Sequence, residues 1–308
     1  MVFAAVGLLL PQLGPVLAPT VPFVLALMVF CMSLTISLAD IAEASKRPVM
    51  LALAAFLAFI PMPLAGLALG RLFFTNADLA TGQLLIGSVP TDISAPLMVY
   101  LAGGKTAMGV SMLVVVMVLT PLLSPLLLRY LGGVTFSMPL GNLMGELFLI
   151  IVVPVAVGVA LRTRYFSRVR RYEPVYSAAA SLCYLWLLLT VISGSSTDIL
   201  ALGIFGGLVL LAQIIHNLLG YLFALSARFL AKDLDELSPT LFTVSNKEFG
   251  IAAALAFASG MPKAVVLPSI FFAVVQMITS PLAAKAIRRW RGASDLAVTR
   301  VIKPAGAP

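Results

Sequence analysis

Long apolar runs, separated by short clusters of charged residues, Pro and Gly, recur along the whole chain. A helix needs about 20 mostly apolar residues to cross a bilayer. Ten such segments can be laid out, at about 3–17, 21–38, 49–69, 80–102, 107–129, 144–161, 174–193, 199–226, 236–258 and 264–284. The expected fold is an all-α polytopic membrane protein of ten transmembrane helices. Several segments contain Pro or Gly, which spans tolerate where protein or water re-satisfies the backbone. No polar stretch is long enough for a second domain. The reading is one membrane domain over 1–292 and a cytoplasmic tail, 293–308, expected to be mobile.

Two segments break their own pattern. Pro90, Thr91, Asp92 and Ser94 interrupt the fourth, and Ser245, Asn246, Lys247 and Glu248 the ninth. Were Lys247 and Glu248 in a loop, only about ten apolar residues would precede Gly260, too few to cross. The pair is therefore placed inside the span, where ionisable groups are functional by default. Proline in a helix interior costs about 3 kcal/mol, so Pro90 and Pro96 imply a break around Asp92.

Composition agrees: 61% of residues are hydrophobic, 10% are charged, and mean hydropathy is +1.09. The first residues carry neither a positive n-region nor a cleavage site and read as a short first span. Cys31, Cys183 and the single His216 offer no metal cluster, and no metal or cofactor is expected. The net charge of +8 is a topology signal. With both termini cytoplasmic, inner segments hold sixteen of the twenty basic residues, outer loops hold Arg71, Arg129 and Lys263, and Lys247 is left in a span. The positive-inside rule then orients the chain in the cell's inner membrane. The basic excess implies contact with anionic lipid rather than nucleic acid.

An internal repeat is faintly visible. SVPTDISAPLMVYLAGGK leads to LLSPLL, and TVSNKEFGIAAALAFASG leads to ITSPLA, at offsets of 155 and 156 residues. Two sets of five spans, about 1–133 and 140–292, would be inverted copies. The register sets Asp92 opposite Lys247. Crossing breaks would then bring these charges close to the pseudo-two-fold axis, with half-helix N-termini free to bind an anion.

At these residues the chain resembles the bile acid:sodium symporter family. MSLTISLADIAEASKRP, VPTDISAPLMVYLAGGKTA, HNLLGYLFA and the last two spans carry the likeness. The resemblance implies two inverted five-helix repeats, broken crossing helices four and nine, and a core domain rocking against a panel domain. It also implies organic-anion substrates. Sodium-using members carry a Glu where Thr243 stands, and a Gln at each of the positions held here by Lys247 and Ala58. They carry Ser-Asn where Ala95-Pro96 stand, and hydroxyls where Gly109 and Leu113 stand. All of these ligands are missing here, and apolar side chains cannot supply the oxygens that sodium requires. A Lys247 ammonium could replace the ion's charge, its pKa lowered by burial and raised by Asp92 or Glu248. The arsenite efflux family shares the architecture but relies on a cysteine in span four, and PTDIS has none.

The expected coupling groups are Lys247, Glu248 and Asp92. The expected substrate contacts are Thr91, Ile93, Ser94, Thr243, Ser245, Asn246 and Gln276, the polar ones alternatively satisfying freed backbone groups. His216 and Asn217 read as a helix-packing hydrogen bond, and Asp40 and Glu43 as solvated loop charges. Enzyme motifs such as HExxH and GxSxG are absent. The reading is a secondary transporter of a small organic anion by alternating access. It would be independent of sodium, and either proton-coupled or facilitative. Two acids and one base also suit a cation or polar neutral solute, with Lys247 held in salt bridges. Sodium coupling through non-standard sites is a further alternative.

Overall fold

A computed structural model of the chain describes residues 2–134 and 139–302. Of the expected tail, residues 303–308 lie outside the described residues, while the backbone of the last helix continues to Ile302. All regular structure among the described residues is helical.

The helices are α1 (Val2–Leu9), α2 (Leu13–Ser33), α3 (Leu38–Ala44), α4 (Pro48–Phe59), α5 (Pro61–Phe73), α6 (Ala77–Ser88), α7 (Ala95–Ala102), α8 (Thr106–Gly132), α9 (Leu140–Arg164), α10 (Phe166–Arg171), α11 (Glu173–Gly194), α12 (Ser196–Ala201), α13 (Phe205–Ala224), α14 (Leu234–Ser245), α15 (Phe249–Ala258) and α16 (Leu267–Ile302). Among the described residues, seven stretches are long and apolar enough to cross a membrane: α2, α4 with α5, α8, α9, α11, α13 with the 3₁₀ turn to Phe229, and Lys263–Arg291. The chain is a multi-pass membrane protein.

The fourth and ninth expected spans are each two half-helices, α6/α7 and α14/α15, as their polar interruptions require. The first expected span needs correction. α1 has 8 residues, a rise of about 12 Å, short of a bilayer. The chain turns at Leu10–Gln12 rather than between 17 and 21. The Ala18-Pro19-Thr20 stretch continues the next span as one 3₁₀ turn, and the Thr20 hydroxyl donates to the Leu17 carbonyl at 2.6 Å. A hydroxyl thus satisfies a carbonyl at a turn containing a proline, and the helix does not end. The turn packs on the end of α11, where a Cβ on Gly14 would stand 2.3 Å from the Gly194 Cα.

Two packing units emerge. In one, α2 lies against α9 and α11. In the other, α4–α8, α13, α14 and α16 pack together around the two breaks. This second unit is clamped at one end. Glu236, buried at the start of α14, accepts from Arg47 at 2.7 Å and Lys105 at 2.8 Å. Arg291 of α16 reaches Asp235 at 2.8 Å and donates to the Ala102 carbonyl at 3.1 Å. The hydrogen bond to Glu236 raises the pKa of Lys105 in the α7–α8 loop, keeping it charged. The ends of α4, α7, α14 and α16 are thereby tied into one body.

Candidate functional site

The breaks meet in the middle of this body. Non-helical residues 89–94 and 246–248 exchange backbone bonds, the Glu248 N–H donating to the Pro90 carbonyl at 2.9 Å. The Thr91 hydroxyl donates to the Thr243 carbonyl. Gly220 of α13 permits the close approach: a Cβ there would lie 2.6 Å from the Ser245 Cα. Beside it, the Asn217 amide donates to the Ser245 carbonyl at 2.8 Å.

Each break frees carbonyls at one helix end and N–H groups at the other. Lys247 serves the carbonyls. Its side chain is fully buried, and Nζ donates to the Val89 carbonyl at 3.1 Å and the Ala58 carbonyl at 3.0 Å. Val89 follows the last residue of α6, and Ala58 lies in the last turn of α4, where the span bends before Pro61. Both are negative ends of helix dipoles, where a cation is stabilised. Lys247 makes no ion pair among the described residues. The Asp92–Lys247 pair suggested by the repeat does not form, and neither acid is the lysine's partner.

The acids serve the N–H groups. Glu248 caps α15, accepting from the Gly250 N–H at 3.2 Å, and its other oxygen accepts from the Ile93 N–H at 3.3 Å, just before α7. Asp92 accepts from the Ser94 N–H at 2.7 Å. The half-helix N-termini that the sequence reading left for a free anion thus hold the chain's own carboxylates. Gln276 of α16 joins the two systems: its amide donates to Asp92 Oδ2 at 2.9 Å, and its carbonyl accepts from the Lys247 N–H at 2.8 Å.

A cavity of about 450 Å³ opens in front of this arrangement, between the two packing units. Asp92, Ile93, Ser94, Gln276 and Ser280 line one wall, and Met32, Ser181 and Tyr184 the other. Three expected contacts therefore face the cavity, Ile93, Ser94 and Gln276, together with the expected coupling group Asp92. Thr91, Thr243, Ser245 and Asn246 are buried behind it and satisfy other groups. Asn246 accepts from the Ser280 hydroxyl at 2.6 Å, and the Thr243 hydroxyl meets only the Met112 sulfur at 3.8 Å. Lys247 and Glu248 do not line the cavity either. Among the described residues, Asp92 is the one charged residue that lines it. Sequence reasoning missed Tyr184, Ser181 and Ser280. The repeat reading sets Ser280 opposite Ser124, whose hydroxyl donates to the Ser88 carbonyl at 2.6 Å.

His216 bonds Gln83 at 3.0 Å and the Met62 carbonyl at 3.1 Å, the packing role expected of it. Asn217 also makes a packing bond between helices, from α13 to the last residue of α14 beside the second break. Among the described residues no group of His, Cys, Asp and Glu could hold a metal ion. The hydroxyls of Thr240 and Thr243 both lie 3.8 Å from the Met112 sulfur.

Residues 22–202 match the model of the sodium bile acid symporter family. The Bacillus subtilis (strain 168) protein named "Uncharacterized sodium-dependent transporter YocS" is 26% identical over 274 residues, covering 89% of this chain and 84% of its own length. "Uncharacterized protein YbaS" of the same strain is 27% identical over 286 residues, covering 90% and 91%. The Arabidopsis thaliana "Probable sodium/metabolite cotransporter BASS1, chloroplastic" is 25% identical over 204 residues, covering 66% of this chain and 50% of its own length.

Proposed function

The chain belongs to the sodium bile acid symporter family, and from that premise we propose a sodium-independent secondary transporter whose Lys247 ammonium takes the place of a bound sodium ion. The observation that carries this reading is the pair of bonds from Lys247 Nζ to the Ala58 and Val89 carbonyls, at 3.0 and 3.1 Å. Half-helix C-termini and unwound carbonyls are where transporters coordinate a coupling cation. Here a tethered cation occupies them. It neutralises both helix ends, holds α4 and α6 against the second break, and needs no ion from solution. A lysine that released its proton would offer the carbonyls a neutral amine, which is the route by which protons rather than sodium could be coupled.

The substrate follows from the other side of the break. The cavity presents Asp92 with the Ser94 and Gln276 polar groups, and no basic side chain lines it. Such a wall favours a small solute that donates hydrogen bonds, neutral or cationic, over a free carboxylate. This is the alternative left open above, with one change: Lys247 is engaged by carbonyls rather than by salt bridges. The anion reading loses its binding element, because Asp92 and Glu248 already cap the N-termini. Transport proceeds by alternating access, with the α2–α9–α11 panel moving against the clamped core. With the positive-inside orientation, the cavity-lining residues Leu97, Met98, Met277 and Pro281 belong to the cytoplasmic halves of α7 and α16, which supports an inward-open reading. Two inverted repeats and cytoplasmic termini complete the proposal.

The test is thermal stabilisation of the purified chain by small amines, polyols and carboxylates, in sodium and in choline buffers. A saturating ligand at about a hundredfold excess over Kd adds about 2.7 kcal/mol. Stabilisation by a donor-rich solute, equal in both salts, is expected. Lys247→Ala should make the apoprotein respond to sodium, because its carbonyls are then vacant. A wild-type ligand response that requires sodium would end the tethered-cation reading. A response confined to carboxylates would end the substrate reading and leave the first intact.

A further inference from the structure

A second and larger hollow, about 970 Å³, lies between the C-terminal end of α13, the start of α14 and the Ala283–Trp290 stretch of α16. Its walls are mostly apolar: Leu225, Leu237, Leu241, Ala283, Ala286 and Ile287. At its mouth stand Arg228 and Lys232, both exposed and neither in an ion pair among the described residues. The acid there, Asp233, turns an oxygen to the Glu236 N–H at 2.9 Å as the cap of α14. We propose that this groove is a binding site for one anionic phospholipid, its phosphate held by Arg228 and Lys232 and an acyl chain laid along α16 toward Tyr221.

The position in the membrane selects the occupant. The outer face of α13 exposes Leu211, Ile214, Leu218 and Leu222, a surface suited to acyl chains. One turn past the end of α13 the exposed residues become Arg228 and Phe229, the latter 92% exposed, and across the groove Trp290 is 67% exposed. Apolar surface giving way to aromatic and basic side chains marks the lipid headgroup level. A basic side chain near that surface attracts anionic lipid. A soluble phosphate compound would use the two charges and leave the apolar walls wet, so the whole groove is explained only by a molecule with both ends.

The site also touches the transport machinery. Tyr221, at the deep end of the groove, donates to the Ser280 hydroxyl at 3.3 Å. Ser280 lines the transport cavity and donates to Asn246 of the second break. One hydrogen-bonded pair separates lipid from substrate.

The experiment is native mass spectrometry of the full chain in detergent, titrated with phosphatidylglycerol and with phosphatidylcholine of the same chains. Preferential binding of phosphatidylglycerol is expected. Arg228→Gln with Lys232→Gln should weaken it about thirty-fold, roughly fivefold per basic side chain. Arg170→Gln with Arg171→Gln, on the exposed α10, should leave it unchanged. Ala286→Phe, which fills the groove without altering charge, should weaken binding as well, and decides the matter if the charge variant does not fold. Equal affinity for both lipids, a preference surviving either groove change, or full competition by free glycerol phosphate would overturn the proposal.

Discussion

The two breaks at the centre of the core meet the same difficulty with different chemistry. Between α6 and α7 the chain leaves helix for residues 89–94 with Pro90 inside the gap and Pro96 at the start of α7, and each proline removes an N–H that would need a partner. Between α14 and α15 the gap is 246–248, with no proline and every N–H used: Asn246 to the Phe242 carbonyl, Lys247 to Gln276, Glu248 to Pro90. The first break is built into covalent geometry. The second is held by hydrogen bonds and charge, and its charges also serve the first, because Lys247 caps the end of α6 and Glu248 the start of α7. Asp92 returns no such service, since its backbone partner is its own neighbour Ser94. Dependence on the charges therefore runs one way, while the Thr91 hydroxyl and the Pro90 carbonyl of the first break also bond the second. Changes in the second break should damage both, and changes in the first should stay local.

Lys247→Met tests the largest consequence. It removes the donor from two buried carbonyls and leaves both unsatisfied. Hydrogen bonds to charged groups contribute about 1.5–3 kcal/mol, and a buried unsatisfied group costs about 1–3 kcal/mol. Relief from burying the ammonium offsets part of this, so the expected destabilisation is about 3 kcal/mol, with loss of transport. A melting temperature in detergent equal to that of the wild type would show that the lysine is a passenger at this site.

Glu248→Gln comes next, at about 1–2 kcal/mol. The amide offers one acceptor oxygen where the carboxylate offers two, so it can cap α15 or approach Ile93, and not both. Hydrogen exchange should quicken in peptides from the first turns of both α7 and α15. Asp92→Asn should quicken only α7. Equal local effects of the two substitutions would remove the asymmetry.

How much of this was legible in the sequence depends on which groups do the bonding. The breaks were legible, because Pro90, Asp92, Lys247 and Glu248 cannot sit in an unbroken lipid-spanning helix. That the two breaks meet was an expectation drawn from the suspected repeat, and they do bond each other. The partners of Lys247 were not, because Ala58 and Val89 act through carbonyls that every residue has, and a charge-matching argument looks for acids instead. Glu248 did carry a signal: an acid directly before the apolar run FGIAAALAFA is a helix N-cap position. The turn at Leu10–Gln12 was missed because Pro19 and Pro22 look like stronger breakers than Pro11. Whether a proline ends a helix depends on what satisfies the freed carbonyl: the Ala18 carbonyl, which Pro22 cannot bond, accepts instead from the Val21 N–H in the 3₁₀ turn.

Pro90→Ala should have the smallest effect and sharpens the comparison most. The new residue regains an N–H in a buried gap, and the unfolded chain gains freedom. A proline already in a compatible conformation stabilises by about 0.4–1 kcal/mol through the unfolded state. The Pro90 carbonyl that receives the Glu248 N–H is a backbone group and survives the substitution. The two breaks should stay joined, the Lys247 bond to Val89 should persist, and the melting temperature should fall slightly with transport retained. If Pro90→Ala instead abolished transport or loosened α15 in hydrogen exchange, the first break would be holding the second, and the direction of dependence argued from the charges would have to be reversed.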